Sequence, residues 1–168
     1  MKKVILFLAS ICCFLLGGTP VLAAENDDAK NYISEFVQEI SKDEDYAIWT
    51  ESTPIFGYEL YGADLENIVG DLYYMNSNGE NVGYVIINRE GNTILEFSVG
   101  TPAYDNMSET LKTDEAKRVY VNAMPAVLNG TIYSELNMSG ETLKSFDAFT
   151  GAELMYDPHE QGGNCIVG

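Results

Sequence analysis

Between Pro54 and Val99 the chain carries a series of apolar-rich runs whose connections are too short for anything but hairpins, and this spacing limits the fold more than any other feature. Phe56, Tyr58 and Leu60 alternate with Gly57 and Glu59, the period-two pattern of a strand. Ile68 to Met75 carries aromatics on both faces, as a central strand does. Asn76 to Asn81 reads as a turn, followed by the run Val82-Gly83-Tyr84-Val85-Ile86-Ile87. A second turn over Asn88 to Asn92 leads into Thr93 to Val99, where Leu95, Phe97 and Val99 share one face. Parallel neighbours need a crossover of a dozen or more residues, so these runs form an antiparallel meander.

Before the meander, Ala29, Tyr32, Ile33, Phe36, Val37 and Ile40 recur at steps of three and four, which predicts an amphipathic helix over 27–40. Asn26, Asp27 or Asp28 can cap it. The polar stretch Ser41 to Asp45 ends the helix, and the chain is expected to be extended from Tyr46 to Trp49. One helix followed by hairpin-linked strands predicts an α+β fold, an N-terminal amphipathic helix packed on an antiparallel meander sheet of four or more strands.

Gly100 to Lys117 is poor in apolar residues and is expected to be an exposed, mobile loop with room for one helical turn. Arg118 to Asn122 and Thr131 to Leu136 read as further strands separated by Ala123-Met124-Pro125, with Pro125 arguing against an uninterrupted central strand. Phe146 to Met155 suggests a small hairpin about Thr150-Gly151. Neither a repeat nor a low-complexity tract divides the chain, so residues 24–157 are expected to form one domain, with 158–168 as a flexible tail.

Lys2-Lys3, the apolar run Val4 to Leu16 and the small residues before Ala23 have the three parts of a secretory signal over residues 1–23. The run is too short for a bilayer of about 30 Å, so an exported bacterial protein without a membrane span is expected. Removing Lys2 and Lys3 leaves seven basic residues against 26 acidic ones, a net charge of −19. Such a surface repels phosphate backbones and excludes nucleic acid as a partner, while it attracts basic partners. No calcium-loop spacing and no metal-ligand spacing is present, so neither metal nor cofactor is expected. With one cysteine, Cys165, beyond the leader, an internal disulfide is ruled out and packing must supply the stability of a chain expected to be monomeric.

Cysteine catalysis needs a thiolate, a histidine base and commonly a helix N-terminus that favours the anion. Here His159, the sole histidine, stands six residues before Cys165 in a polar tail, and three residues follow the thiol. Neither supplies the rigid geometry of a base or the helix that would activate sulfur. A Gly-x-Ser-x-Gly elbow does not occur, and the adjacent acids Asp64 with Glu66, and Asp43 with Glu44 and Asp45, read as solvated turns rather than a catalytic pair. Tyr58, Tyr61, Tyr73, Tyr74, Tyr84 and Phe97 read as packing.

Three stretches carry a resemblance: Pro54-Ile55-Phe56-Gly57-Tyr58-Glu59-Leu60, Gly83-Tyr84-Val85-Ile86-Ile87-Asn88, and Ile94-Leu95-Glu96-Phe97-Ser98-Val99-Gly100-Thr101-Pro102-Ala103-Tyr104. Together they resemble the pro-region, and the related inhibitor domain, of secreted bacterial cysteine peptidases of the streptopain type, over roughly residues 26 to 156. The tail Gly163-Asn164-Cys165-Ile166-Val167-Gly168 is similar to the opening of a papain-like catalytic domain. By that resemblance Cys165 is a vestigial nucleophile, and Gln161 corresponds to the oxyanion-hole glutamine at a shorter spacing than the papain pattern.

What the resemblance implies is a domain that is not itself an enzyme and that binds, inhibits or assists the folding of a cysteine peptidase. Loop length and charge place the docking residues in the Gly100 to Lys117 segment: Pro102, Tyr104, Asp105, Glu109, Asp114 and Glu115. Two other readings compete. One is a truncated peptidase precursor with Cys165 as its nucleophile, and the other an acidic exported binding module unrelated to proteolysis.

Overall fold

A computed structural model describes residues 26–154. Helix α1 spans Asp27–Ile40, and of the three candidate caps it is Asn26 that serves, its side chain accepting a hydrogen bond from the Ala29 N–H at 3.2 Å. Asp27 and Asp28 complement the positive end of the helix dipole. The cap is worth about 1 kcal/mol. Burying Ile33 and Val37 contributes roughly 3–6 kcal/mol, so packing decides that the helix forms.

The segment expected to be extended from Tyr46 to Trp49 is instead a 3-10 helix, Glu44–Trp49. The Asp43 side chain accepts from the Asp45 N–H at 3.0 Å and starts the turn. Three residues per turn then put Tyr46 and Trp49 on one side, facing the sheet. Trp49 is fully buried and donates its indole N–H to the Val82 carbonyl at 3.0 Å. Gly83 makes this possible: a Cβ there would lie 2.4 Å from the Ser98 carbonyl oxygen and 2.7 Å from the Trp49 ring.

The first meander is β1 (Thr53–Tyr61), β2 (Ile68–Ser77), β3 (Glu80–Asn88) and β4 (Ile94–Ser98), with the expected antiparallel pairing throughout. The turn between β2 and β3 narrows to Asn78-Gly79, both at positive φ, the tight hairpin geometry that matches strand twist. A second meander follows: β5 (Lys117–Val121), β6 (Met124–Asn129), β7 (Ile132–Leu136), β8 (Thr142–Asp147) and β9 (Glu153–Leu154). One parallel contact, Tyr61 against Val119, joins the halves into a nine-stranded sheet of order β4-β3-β2-β1-β5-β6-β7-β8-β9.

Two of these strands depart from the sequence reading. β6 runs through Pro125, which pairs with Tyr120 of β5 but sits before the first β6–β7 pair, Ala126 with Glu135, so its missing N–H interrupts no bond to β7. The β5–β6 turn is Asn122-Ala123, at φ 52° and 60°. β8 escaped because its buried residue is Ser145, hydrogen-bonded to Ser134 at 3.0 Å, and no apolar alternation marks it. The expected hairpin about Thr150-Gly151 forms between β8 and β9, closed by the Gly151 N–H to the Asp147 carbonyl at 2.8 Å.

The two faces of the first meander have separate cores. Tyr73, Met75, Val85 and Ile87 meet Ala29, Ile33, Val37 and Trp49 under α1. On the other face, Leu60, Leu72, Tyr84 and Ile86 meet Tyr104, Tyr120, Val127 and Leu136, so the second meander and the segment before it supply the opposite cover.

Candidate functional site

Gly100 to Lys117, expected to be exposed along its length, has two unlike halves. Its first half enters the core. Pro102 is buried and leads into a four-residue helix α2, Ala103–Asn106, in which Ala103 and Tyr104 are buried; Met107, just beyond, is buried too. The sequence hid this because only Tyr104 and Met107 among its residues are large and apolar, too few to show a period.

Several contacts fasten α2. The Tyr104 hydroxyl donates to the Val119 carbonyl at 2.6 Å, and its ring meets Tyr58 edge-on at 5.7 Å. Asp105 accepts from the Tyr74 hydroxyl at 2.7 Å and more weakly from Tyr58 at 3.4 Å. From the other side Gly140, at φ 81°, presses so close that a Cβ would stand 2.5 to 2.6 Å from the backbone of Ala103, Asn106 and Met107. Pro102 and Tyr104 are therefore buried and Asp105 half-buried, a correction to the exposure expected along this half of the loop.

The second half is exposed and held at both ends. Turn bonds run from Leu111 N–H to the Ser108 carbonyl and from Ala116 N–H to the Thr113 carbonyl, both at 3.0 Å. Asn129, at the end of β6, bridges it by donating to the Thr110 carbonyl and accepting from the Thr113 hydroxyl, each at 3.1 Å. Leu111 packs its side chain on the core beneath. Glu109, Asp114 and Glu115 stand in solvent on this braced segment, with Glu109 paired to Lys112 at 3.0 Å.

Beneath α2 lies a polar layer that the sequence reading took as packing alone. Glu96 accepts from the Tyr84 hydroxyl at 2.5 Å and the Tyr120 hydroxyl at 2.8 Å. Arg118 lays its guanidinium 4.2 Å from the centre of the Tyr58 ring, and its buried Nε has no hydrogen-bond partner among the described residues. Burial, then the neighbouring Glu96 or Asp105, pushes Tyr84, Tyr120 and Tyr74 well above the ordinary phenol range. Burial and Tyr74 do the same to Tyr58. These phenols stay neutral donors at physiological pH, which suits a cross-linked core rather than proton transfer.

The candidate carboxylate pairs are turn elements, as expected of solvated acids. Asp64 accepts from the N–H groups of Glu66 and Asn67, and the bonds from Asn67 hold its carboxyl below the usual range. Cys165, Gln161 and His159 lie outside the described residues, as do the leader and the tail. Among the described residues no group of His, Cys, Asp and Glu is arranged to hold a metal ion, and no helix is long and apolar enough to cross a membrane. What the arrangement offers is a rigid platform presenting a short acidic segment. Neither a protein-family model, nor a curated protein, nor a solved structure matches the chain.

Proposed function

We propose that this chain is a pro-region-like docking domain for a papain-like cysteine peptidase, which it inhibits or helps to fold. The observation that carries the reading is the braced acidic segment 108–116: its backbone is fixed from below by Leu111 and from the side by Asn129, and it raises Glu109, Asp114 and Glu115 into solvent. A segment ordered before binding loses little conformational freedom on docking, and carboxylates on it steer a basic rim into place. The three stretches that resemble the streptopain-type pro-region fall in β1, in β3, and from β4 into α2, the helix that leads into this segment.

Titrating the purified chain into a secreted streptopain-type peptidase tests the reading. Saturable inhibition is expected, with association slowed several-fold, and made less sensitive to salt, in the triple variant Glu109→Gln, Asp114→Asn, Glu115→Gln. An absence of both inhibition and refolding assistance at micromolar excess would refute it.

A further inference from the structure

On a part of the molecule sharing no residue with α2 or the acidic segment, a solvent-open cleft of about 360 Å³ lies between the β1–β2 connection and the β7–β8 ladder. Its walls include Leu65, Val121, Tyr133, Glu135, Phe146 and Asp147. The register sets Tyr133 against Phe146 and Glu135 against Lys144, so these side chains share the sheet face opposite the buried Ser134 and Ser145. The two rings are 6.4 Å apart and tilted by 46°, which leaves an aromatic wall beside a half-buried carboxylate.

The charges around this cleft are unevenly spent. Among the described residues the Glu135 carboxylate makes no hydrogen bond or ion pair, while Lys144, opposite it, lies 3.9 Å from Glu153 instead. Lys117, near Leu65, donates to the Leu65 carbonyl at 2.9 Å and sits 4.8 Å over the Tyr61 ring. Hydrogen bonds from Thr150 hold Asp147 below the usual carboxyl range, so it stays anionic. The Tyr133 phenol is pushed up by burial and then by the neighbouring Glu135. A net charge of −17 on the whole chain adds to the local field.

An aromatic wall, an apolar floor and an unspent carboxylate suit an organic cation better than a bare metal ion, which needs a shell of oxygen ligands. A planar guanidinium satisfies both walls, since its face stacks on a ring while its forked N–H groups reach a carboxylate. The geometry points to a receptor for an arginine side chain of a partner protein, the guanidinium laid against the Tyr133–Phe146 pair and its N–H groups turned to Glu135. This inference stands or falls apart from the peptidase reading, because none of its residues belongs to the segment proposed to dock there.

The test titrates N-acetyl-arginine-methylamide into the full chain, followed by amide NMR shifts, with the neutral citrulline counterpart alongside. Saturable shifts confined to the amides of Glu135, Phe146, Ala148 and Gly151 are expected, with binding at least about tenfold weaker for citrulline and for the Glu135→Gln variant, the loss of roughly one charge-assisted contact. Glu80→Gln, an exposed acid elsewhere, should bind as the parent does. Should Glu135→Gln disturb the fold, Phe146→Leu keeps apolar bulk but removes the ring, and several-fold weakening is expected. Equal binding of citrulline, undiminished binding by the variants, unsaturable shifts spread over the acidic surface, or no saturable shift would each overturn the proposal.

Discussion

Raising the pH should unfold this domain by a route that its buried phenols dictate. Tyr84, Tyr104 and Tyr120 are at most 8% exposed, and burial, with Glu96 next to it, pushes each far above the unfolded value near 10. A raised pKa means that the folded state keeps a proton which the unfolded chain releases. The stabilisation is complete below about pH 10 and is lost as pH climbs toward the folded values. Each withheld ionisation costs about 1.4 kcal/mol per pH unit above 10, so the three together remove about 4 kcal/mol by about pH 11 and about 8 by about pH 12. Against a typical domain stability of about 5–15 kcal/mol, cooperative unfolding is expected between about pH 11 and 12.5. Tyrosinate absorbance followed together with circular dichroism reads both events. The buried set should ionise only as the secondary structure is lost. In the double variant Tyr84→Phe, Tyr120→Phe the slope should fall by about 2.8 kcal/mol per pH unit, since two of the withheld ionisations are removed. A smooth titration of every phenol near its ordinary value, with the fold intact at about pH 12, would show that the layer under α2 is wet and the reasoning wrong.

Two further outcomes follow from packing. Gly140→Ala should destabilise by about 1–3 kcal/mol in urea unfolding, because the new methyl strikes the backbone of α2, whereas Gly130→Ala, with positive φ but open space, should lose only about 1 kcal/mol. Trp49→Ala should cost about 3–5 kcal/mol by the same measurement, since it empties a fully buried site between Tyr46, Phe97 and β3 and removes the bond to Val82.

The expectations drawn from α1 and the first meander agree with the structure because their signals are local. A stripe at steps of three and four, alternation in β1 and short turns such as Asn78-Gly79 each lie within a dozen residues and need no partner to be read. The signal failed where an element owes its form to something distant in sequence. Tyr46 to Trp49 winds into a 3-10 helix because the indole finds Val82, 33 residues on. α2 exists because Tyr104 finds Val119 and because Gly140 backs onto it. β8 is a strand because Ser145 pairs with Ser134 and not because it is greasy.

The candidate site divides along the same line. That 100–117 is polar and acidic, and that Glu109, Asp114 and Glu115 sit in water, follows from the residues alone, because charge avoids burial wherever the chain allows it. That Pro102, Tyr104 and Asp105 turn inward depends on residues distant in sequence, since a tyrosine hydroxyl or a carboxylate leaves water readily only when a carbonyl or a phenol is there to meet it. The cleft at Glu135 likewise arises from register, which set Lys144 within reach of Glu153 and left one carboxylate unspent beside two rings brought together from different strands.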